Sequence, residues 1–559
     1  MAKLLLGPLL RHVGERDATV WVETDTPCEA EVQAGAVSGH QRTFTVAGHY
    51  YALVALTGLE PGSSTPYVVR LDGDTVWPTS DSTFPPSRIR TVDPSRPIRL
   101  LFGSCREPPR VQRRGGPELA PDVLDAYATR MIGQDHERWP DLLLLVGDQI
   151  YADDTSPAIQ EFIRTRRDIR RAPHAEVADF EEYTRLYYES WGEPTVRWLL
   201  STLPSSMIFD DHDVRDDWNT SHAWRLDMQK TDWWEERITG ALMSYWIYQH
   251  LGNLSPAGLA ADELYAVVRG LPDAEAVLRA FAQAADREAD GAKGAMWSYR
   301  RDFGPVRLLV IDSRCGRVLA EGRRSMISDR EFDWVERQVA DGGFEHLVVA
   351  TSMPWLLPRA LHDIESWNEA LCAGSRGRVL ARSAEWLRRA VDLEHWAAFR
   401  QSFDRLAGLF AQVGRGEHGV SAPATICVLS GDVHHTYVSE ADYEMPLESR
   451  VYQITCSPIN NTIPLLMRLV FHIGWSNTVE RVTRFLDRWT RVPPPPIHWH
   501  HPSGPHFGNT LALLILDGRS ARVRLERAVR TEASDEREAS VDLALTEDLS
   551  LTEAPRVVA

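Results

Sequence analysis

Cysteine is scarce in this sequence: six residues in 559, at positions 28, 105, 315, 372, 427 and 456, with no CxxC pair. Scattered single cysteines in so long a chain exclude a disulfide framework and point to reduced thiols. Long apolar runs are also missing. No stretch of about 18 apolar residues exists, so no transmembrane helix is expected. The first residues, MAKLLLGPLLRHVGERDATVWVE, hold one lysine and a short apolar run, with no long hydrophobic region, cleavage site or twin-arginine motif. No secretion signal is read there, and a cytoplasmic location is expected. Positive charge is in deficit, with 61 Lys and Arg against 79 Asp and Glu, a net charge of -18. An anionic surface repels a phosphate backbone, so nucleic acid is not an expected partner. Small phosphates stay admissible, because a metal cluster reverses the field locally.

What is present is enough for two or more domains. Residues 18–24, 30–35, 42–46 and 66–71 read as short strands, several alternating apolar with polar, with Pro-Gly and Asp-Gly turns around the last. A linker, PPSRIRTVDPSRP, follows at 85–97. Beyond it the pattern changes to short continuous apolar runs: 98–103, 141–147, 206–210, 307–312, 346–350, 425–431 and 451–456. Such runs suit strands buried on both faces of a layered α/β domain, with helical stretches between them, notably 155–300. Residues 533–559 are polar and acidic and read as a frayed tail. Tryptophans 191, 198, 218, 224, 233, 234 and 246 read as packing residues.

Several apolar runs stop at a residue able to bind metal: Ser104-Cys105, Asp148, Asp210-Asp211-His212, Asp312 and Asp432. In open α/β sheets ligands bind beyond the carboxyl ends of strands, so the endings point to one shared site. Asp148 ends a buried strand before a turn, where its carboxylate is placed to bridge two cations, and Tyr151 returns to the same place across that turn. Cys105 offers a soft thiolate and His434 a neutral imidazole, which with the phenol favour a transition metal. Asp211 and Asp432 offer only oxygen, which suits Ca2+, Mg2+ or Mn2+. An asymmetric pair is expected. Such a pair lowers the pKa of a shared water and clamps a phosphoryl oxygen. His212 is the candidate general acid, Asp213 the carboxylate orienting it, and Arg106 the candidate phosphate fork.

The motifs GSCR (103–106), GDQIYADD (147–154), FDDHDVRDDWN (209–219) and SGDVHH (430–435) occur in the order found in alkaline phosphatase D, the PhoD-like metallophosphatases of the calcineurin-like superfamily, which the chain resembles over most of 98–440. The resemblance implies a fibronectin-like β-sandwich at 1–90 and a four-layer αββα metallophosphatase domain with helical insertions at 91–530, ahead of a flexible acidic tail at 531–559. It implies hydrolysis of phosphate mono- or diesters of small molecules. A phenol at this position also resembles purple acid phosphatases and implies Fe3+ at the Cys/Tyr/His site, with Ca2+ (or Mg2+ or Mn2+) at the carboxylate site.

One departure stands out. Calcineurin-like enzymes place a histidine after the strand occupied here by HLVVATSMP, and this chain has Thr351-Ser352. The second ion thus lacks one imidazole, and Asn219 is a candidate replacement. His435 and Arg314 (in IDSR, 311–314) are further candidates for contact with substrate or ligands; both also have a structural reading. HWHHPSGPHFGN (498–509) reads as a loop covering the site. IPLLMRLVFHIGW (463–475) reads as a buried or lid helix, with peripheral lipid contact as its alternative. The rival readings are a phospholipase D-like phosphodiesterase, a non-catalytic binding protein built on a degenerate phosphatase, and iron redox chemistry. The last usually needs two histidines and one carboxylate, whereas carboxylates dominate here.

Overall fold

The computed structural model describes residues 1–108, 121–290, 295–320, 323–417, 421–461, 474–475, 479–480, 483, 486, 489–530 and 541–552. Near the N-terminus two antiparallel sheets face each other. Strands Leu4–Val13, Asp17–Thr24, His49–Thr57 and Phe44–Val46 make one; Val37–Arg42, Glu29–Ala34, Ser64–Leu71 and Asp74–Trp77, with Arg88–Arg90 also paired to Ser64–Leu71, make the other. Period-two patterning produces this layer: Ala30, Val32 and Ala34 are buried while Glu29, Glu31 and Gln33 turn outward. Val20, Val22 and Val54 of the first sheet pack with Val32, Val69 and Leu71 of the second. Trp21, Tyr51 and Leu53, by contrast, share a core with the larger domain. Buried Arg11 fastens the junction by donating to the carbonyls of Tyr248 and Gln249 at 2.9 and 2.7 Å.

The larger domain stacks two mixed sheets. The first runs Ser205–Ile208, Leu142–Val146, Ile98–Gly103, Thr510–Asp517, Ser520–Arg530, Val541–Ser550. The second runs Tyr299–Phe303, Val306–Ile311, His346–Thr351, Thr425–Ser430, Arg450–Thr455, Thr436–Tyr443, Ile497–His506. The continuous apolar runs are buried on both faces for a visible reason. Leu308, Val310, Val348, Ala350, Cys427 and Leu429 pack with the first sheet's Leu100, Phe102 and Leu144. Their neighbours Leu309, Ile311, Leu347, Val349, Ile426 and Val428 pack with Phe332, Val335, Phe403, Leu406 and Phe410 of helices Asp329–Ala340 and Arg400–Gly414. Helices Val123–Ile132 and Pro194–Thr202 join the first sheet's core, completing four layers.

Two expectations are corrected. Residues 541–550, taken for tail, form a strand paired antiparallel with Ser520–Arg530, with Leu543 and Leu549 against the core. The histidine-rich stretch is not a loop: Ile497–His506 is a strand paired with Thr436–Tyr443. Its histidines are occupied locally, His501 with Ser439, His506 with Ser503 and His500 with Asp442. Residues 462–473, with most of the expected lid helix, and residues 531–540 and 553–559 of the tail lie outside the described residues. The tryptophans at 191, 198, 218, 224, 234 and 246 are buried.

Candidate metal centre

The motif-bearing loops leave the carboxyl ends of parallel strands from both sheets and are stitched to one another by main chain. Cys105 N–H donates to Gly147 O at 3.3 Å and Arg106 N–H to Asp148 O at 3.0 Å. Ala152 N–H donates to His212 O at 2.9 Å, and Asp432 N–H to Ser104 Oγ at 3.3 Å. The two motif glycines make this approach possible. A Cβ on Gly431 would lie 2.0 Å from Ser104 Oγ, and one on Gly147 would meet Asp210 Cβ at 2.7 Å with φ at +108°. Cys105, Asp148, Asn219, Asp432 and His434 all hold positive φ, between 49° and 69°. L-residues adopt that conformation at a cost of roughly 1 kcal/mol or more, and it gathers at sites where the surroundings over-determine it.

The side chains converge accordingly. Ligand-capable atoms of Asp148, Asp211 and His212 lie within 4.8 Å of one another, and so do those of Asp210, Asp211 and Asp432. Asp148 Oδ1, Asp211 Oδ1 and Asn219 Oδ1 are buried and have no hydrogen-bond partner among the described residues. Cys105 Sγ receives Ser457 Oγ–H at 3.2 Å, and Tyr151 Oη receives Asn461 Nδ2–H at 3.0 Å. Burial, then the nearby carboxylates, pushes the Cys105 thiol up to about 12. Burial also pushes Asp210 up to about 8 and holds Asp148 well above the carboxylate range. So many buried acids cannot ionise side by side unless cations neutralise them, and orphaned buried oxygens are costly without a partner. The two acidic groups therefore fit bound metal: Asp148 and Asp211 with His212, and Asp210 and Asp211 with Asp432. Burial lowers His434 to about 4, keeping its imidazole in the neutral form that ligates.

Around these donors several expected roles change hands. Asp213 does not orient His212: its carboxylate accepts the N–H of Asp148 and of Asp210 at 3.0 and 2.9 Å, pinning two loops together. Asp153 takes the orienting place, 2.9 Å from His212 Nδ1. Burial alone would lower His212, but Asp153 and then Asp211 hold it well above its usual value. Arg106 does not reach into the site. It is buried, pairing with Asp122 at 2.9 Å and donating to Ser190 O at 2.6 Å, which saturates its fork. Asp312 is a turn former, accepting the N–H of Arg314, Cys315 and Gly316 at 2.8, 2.9 and 2.8 Å. That turn aims Arg314, fully buried, into the carboxylates: its Nε pairs with Asp210, Nη1 lies 2.6 Å from Glu394, and Nη2 lies 3.3 Å from Asp211 and 3.8 Å from Asp432. His435 is structural, stacked on Tyr437 at 5.2 Å and bonded to Val433 O at 2.6 Å.

The residue that sequence reasoning missed is His395. Its Nε2 lies 2.7 Å from Asp432 Oδ2, and its Nδ1 lies 2.6 Å from Glu365 Oε1. Burial would raise Asp432, yet the His395 bond and charge, with Arg314, hold it below the usual range. Thr351 and Ser352, where a histidine was expected, bond instead to Ser313 at 2.9 Å each. Glu365, Glu394 and His395 follow no strand ending and fall in no motif, whereas Asp153 lies inside GDQIYADD but was passed over for Asp213, which adjoins His212.

Buried carboxylates, a thiol and imidazoles gathered at this end of stacked mixed sheets are the setting in which metal-dependent phosphoesterases work. A PhoD-like phosphatase family model matches residues 126–465, and the chain belongs to that family and is a phosphoric ester hydrolase. A second model, DUF7800, a domain of unknown function, matches residues 1–89. Among solved structures, one of PhoD aligns with a TM-score of 0.56 at 12% identity, covering 97% of this chain and 92% of that chain. Purple acid phosphatase PPD1 from yellow lupin (Lupinus luteus) seeds aligns with a TM-score of 0.45 at 11% identity, covering 96% and 73%. No curated protein matches the sequence.

Proposed function

We propose that the chain hydrolyses small phosphate mono- or diesters at an asymmetric two-metal centre. Cys105, Asp148, Tyr151 and His434 would hold ferric iron; Asp148, Asp211, Asp432 and Asn219 would hold Ca2+, Mg2+ or Mn2+. His395 would supply the second side with the imidazole absent after His346–Thr351, its Nδ1–H fixed by Glu365 as metal-binding histidines commonly are. When bound, the pair supplies an activated hydroxide and neutralises the phosphoryl oxygens. His212, kept protonated by Asp153, delivers a proton from Nε2 to the leaving oxygen. Arg314 draws Asp210, Asp211, Glu394 and Asp432 into one cluster and offsets part of their charge. The observation that carries this reading is the gathering of Asp148, Asp211 and His212, and of Asp210, Asp211 and Asp432, within 4.8 Å, with buried oxygens on Asp148 and Asn219 that accept no hydrogen bond among the described residues.

Elemental analysis of freshly purified protein, with turnover of a mono-aryl and a bis-aryl phosphate, tests it. Two metals per chain and hydrolysis of at least one ester are expected. Metal-free protein that hydrolyses both esters would remove the mechanism. The iron assignment has its own readout: a visible phenolate-to-iron band that disappears in Tyr151→Phe. A coloured Tyr151→Phe protein would contradict it.

A further inference from the structure

We infer that helix Arg378–Ala390 is an interfacial element that docks the chain on an anionic lipid surface. Its polarity is reversed relative to a globular surface helix. The inward arc is polar: Ala384 O accepts from Asn368 Nδ2 at 2.9 Å, and buried Arg388 pairs with Glu369 and, at 3.0 Å, with Glu385. Glu385 also receives the Ser221 hydroxyl. The outward arc is apolar. Val379 is 79% exposed and Trp386 72%, one on each side of Ser383 at helical spacing, with Leu380 and Val391 also exposed. Trp386 is the most exposed tryptophan among the described residues, with Trp489 next at 42%.

Charge selects the occupant. Of the five arginines in residues 376–391, Arg388 is buried and paired and Arg389 pairs with Asp227 at 2.9 Å, which leaves Arg376, Arg378 and Arg382 facing outward in a chain whose net charge is -18. Helical spacing sets Arg378 and Arg382 along one flank of the apolar arc. Beyond the N-terminal end Arg376 lies over Trp489, 5.0 Å from its ring and itself exposed. An apolar arc with tryptophan, flanked by arginines, is the pattern of helices that lie in the plane of a bilayer interface and are held there by anionic lipid. A second copy of the chain is a poorer fit, because a two-fold contact would set these arginines against each other. No helix among the described residues is long and apolar enough to cross a membrane, so contact from one side is what the helix allows. Its position matters for the site. The chain leaves the helix at Ala390 and within five residues reaches Glu394, paired with Arg314, and His395, bonded to Asp432. Docking would hold that side of the metal centre close to the lipid headgroups.

Flotation of the full chain with phosphatidylcholine vesicles, with and without phosphatidylserine, tests the inference independently of whether the site is a phosphatase. Wild type should float with the anionic vesicles only, and added salt should weaken the association. The double variant Val379→Ser, Trp386→Ser should bind on the order of tenfold more weakly. Arg378→Gln and Arg382→Gln should each lose about fivefold and flatten the salt dependence. All are surface changes, so thermal melting and turnover of a soluble aryl phosphate should stay at wild-type values. Wild type that stays unbound, or variants that float like wild type, would overturn the proposal. So would a dimer in light scattering that dissociates on Trp386→Ser, which would give the face to a second copy.

Discussion

The two sides of the proposed metal centre are built in different ways. The thiol–phenol side comes from residues on the turns that end strands Ile98–Gly103 and Leu142–Val146, locked by main-chain bonds such as Arg106 N–H to Asp148 O at 3.0 Å. The opposite side is assembled by side chains reaching in from far along the sequence: His395 and its Glu365 from the helical region 359–398, Arg314 from a turn, and Glu394 bridging Arg314 and Arg317 at 2.6 and 3.0 Å. Backbone-held donors are placed by the fold itself. Side-chain-held donors depend on each other, so one substitution there propagates to its partners.

The largest expected effect breaks both sides together. Asp148 sits where they meet, and Asp148→Asn removes the charge proposed to bridge them. Hydrolysis should fall by about 10³-fold or more, and both metals should be lost in elemental analysis. Retention of two metals with wild-type turnover would remove the bridging role.

His395→Ala should separate the sides. The loss of an imidazole and of the Glu365–His395–Asp432 chain should empty the harder-cation side and slow turnover on the order of 10–100-fold. The visible iron band should persist, because no donor of the thiol–phenol side touches His395 in the described hydrogen bonds. Loss of the band in this variant would mean that the two sides are not separable.

This asymmetry also governs what could be read in advance. Layered α/β architecture was legible because runs such as TICVLS are apolar without alternation, as two-face burial demands. Cys105, Asp148, Asp211 and Asp432 were legible because each follows such a run within two or three residues. His395 was not, because its neighbours Glu394 and Trp396 follow no strand and its partner Asp432 is 37 residues away. Asp213 was misjudged for the opposite reason: adjacency to His212 suggested contact, but successive residues of a turn point different ways, and the carboxylate that reaches the ring comes from Asp153, 59 residues earlier. The strand at 541–550 was missed because its burial is only partial and its sequence is acidic, so pairing rather than hydrophobicity holds it.

A smaller effect sharpens the role of Asp153. It holds His212 well above its usual pKa, and a general acid works while protonated, so activity should be lost only as pH rises through that raised value. Asp153→Asn removes the main raising charge. The alkaline limb of the rate profile should then move to lower pH, and esters with poor leaving groups should slow about tenfold while activated aryl esters barely change. Equal slowing of both ester types, with no shift of the limb, would take His212 out of the acid role.

The smallest effect on catalysis is expected at Arg106, although it follows a candidate ligand directly. Its guanidinium is sealed between Asp122 and Ser190 O, and Asp122 caps helix Val123–Ile132 through Leu124 N–H at 2.8 Å. Arg106→Gln leaves that buried carboxylate without its counter-charge, which should cost on the order of 3 kcal/mol of stability. KM of the folded fraction should not change, because no donor of Arg106 is free to meet a phosphate. A residue clamping phosphate would behave in reverse, with KM rising tenfold or more and stability nearly untouched. Chemical denaturation and steady-state kinetics on the same preparation therefore decide whether this arginine belongs to the frame that carries the thiol side or to the chemistry performed there.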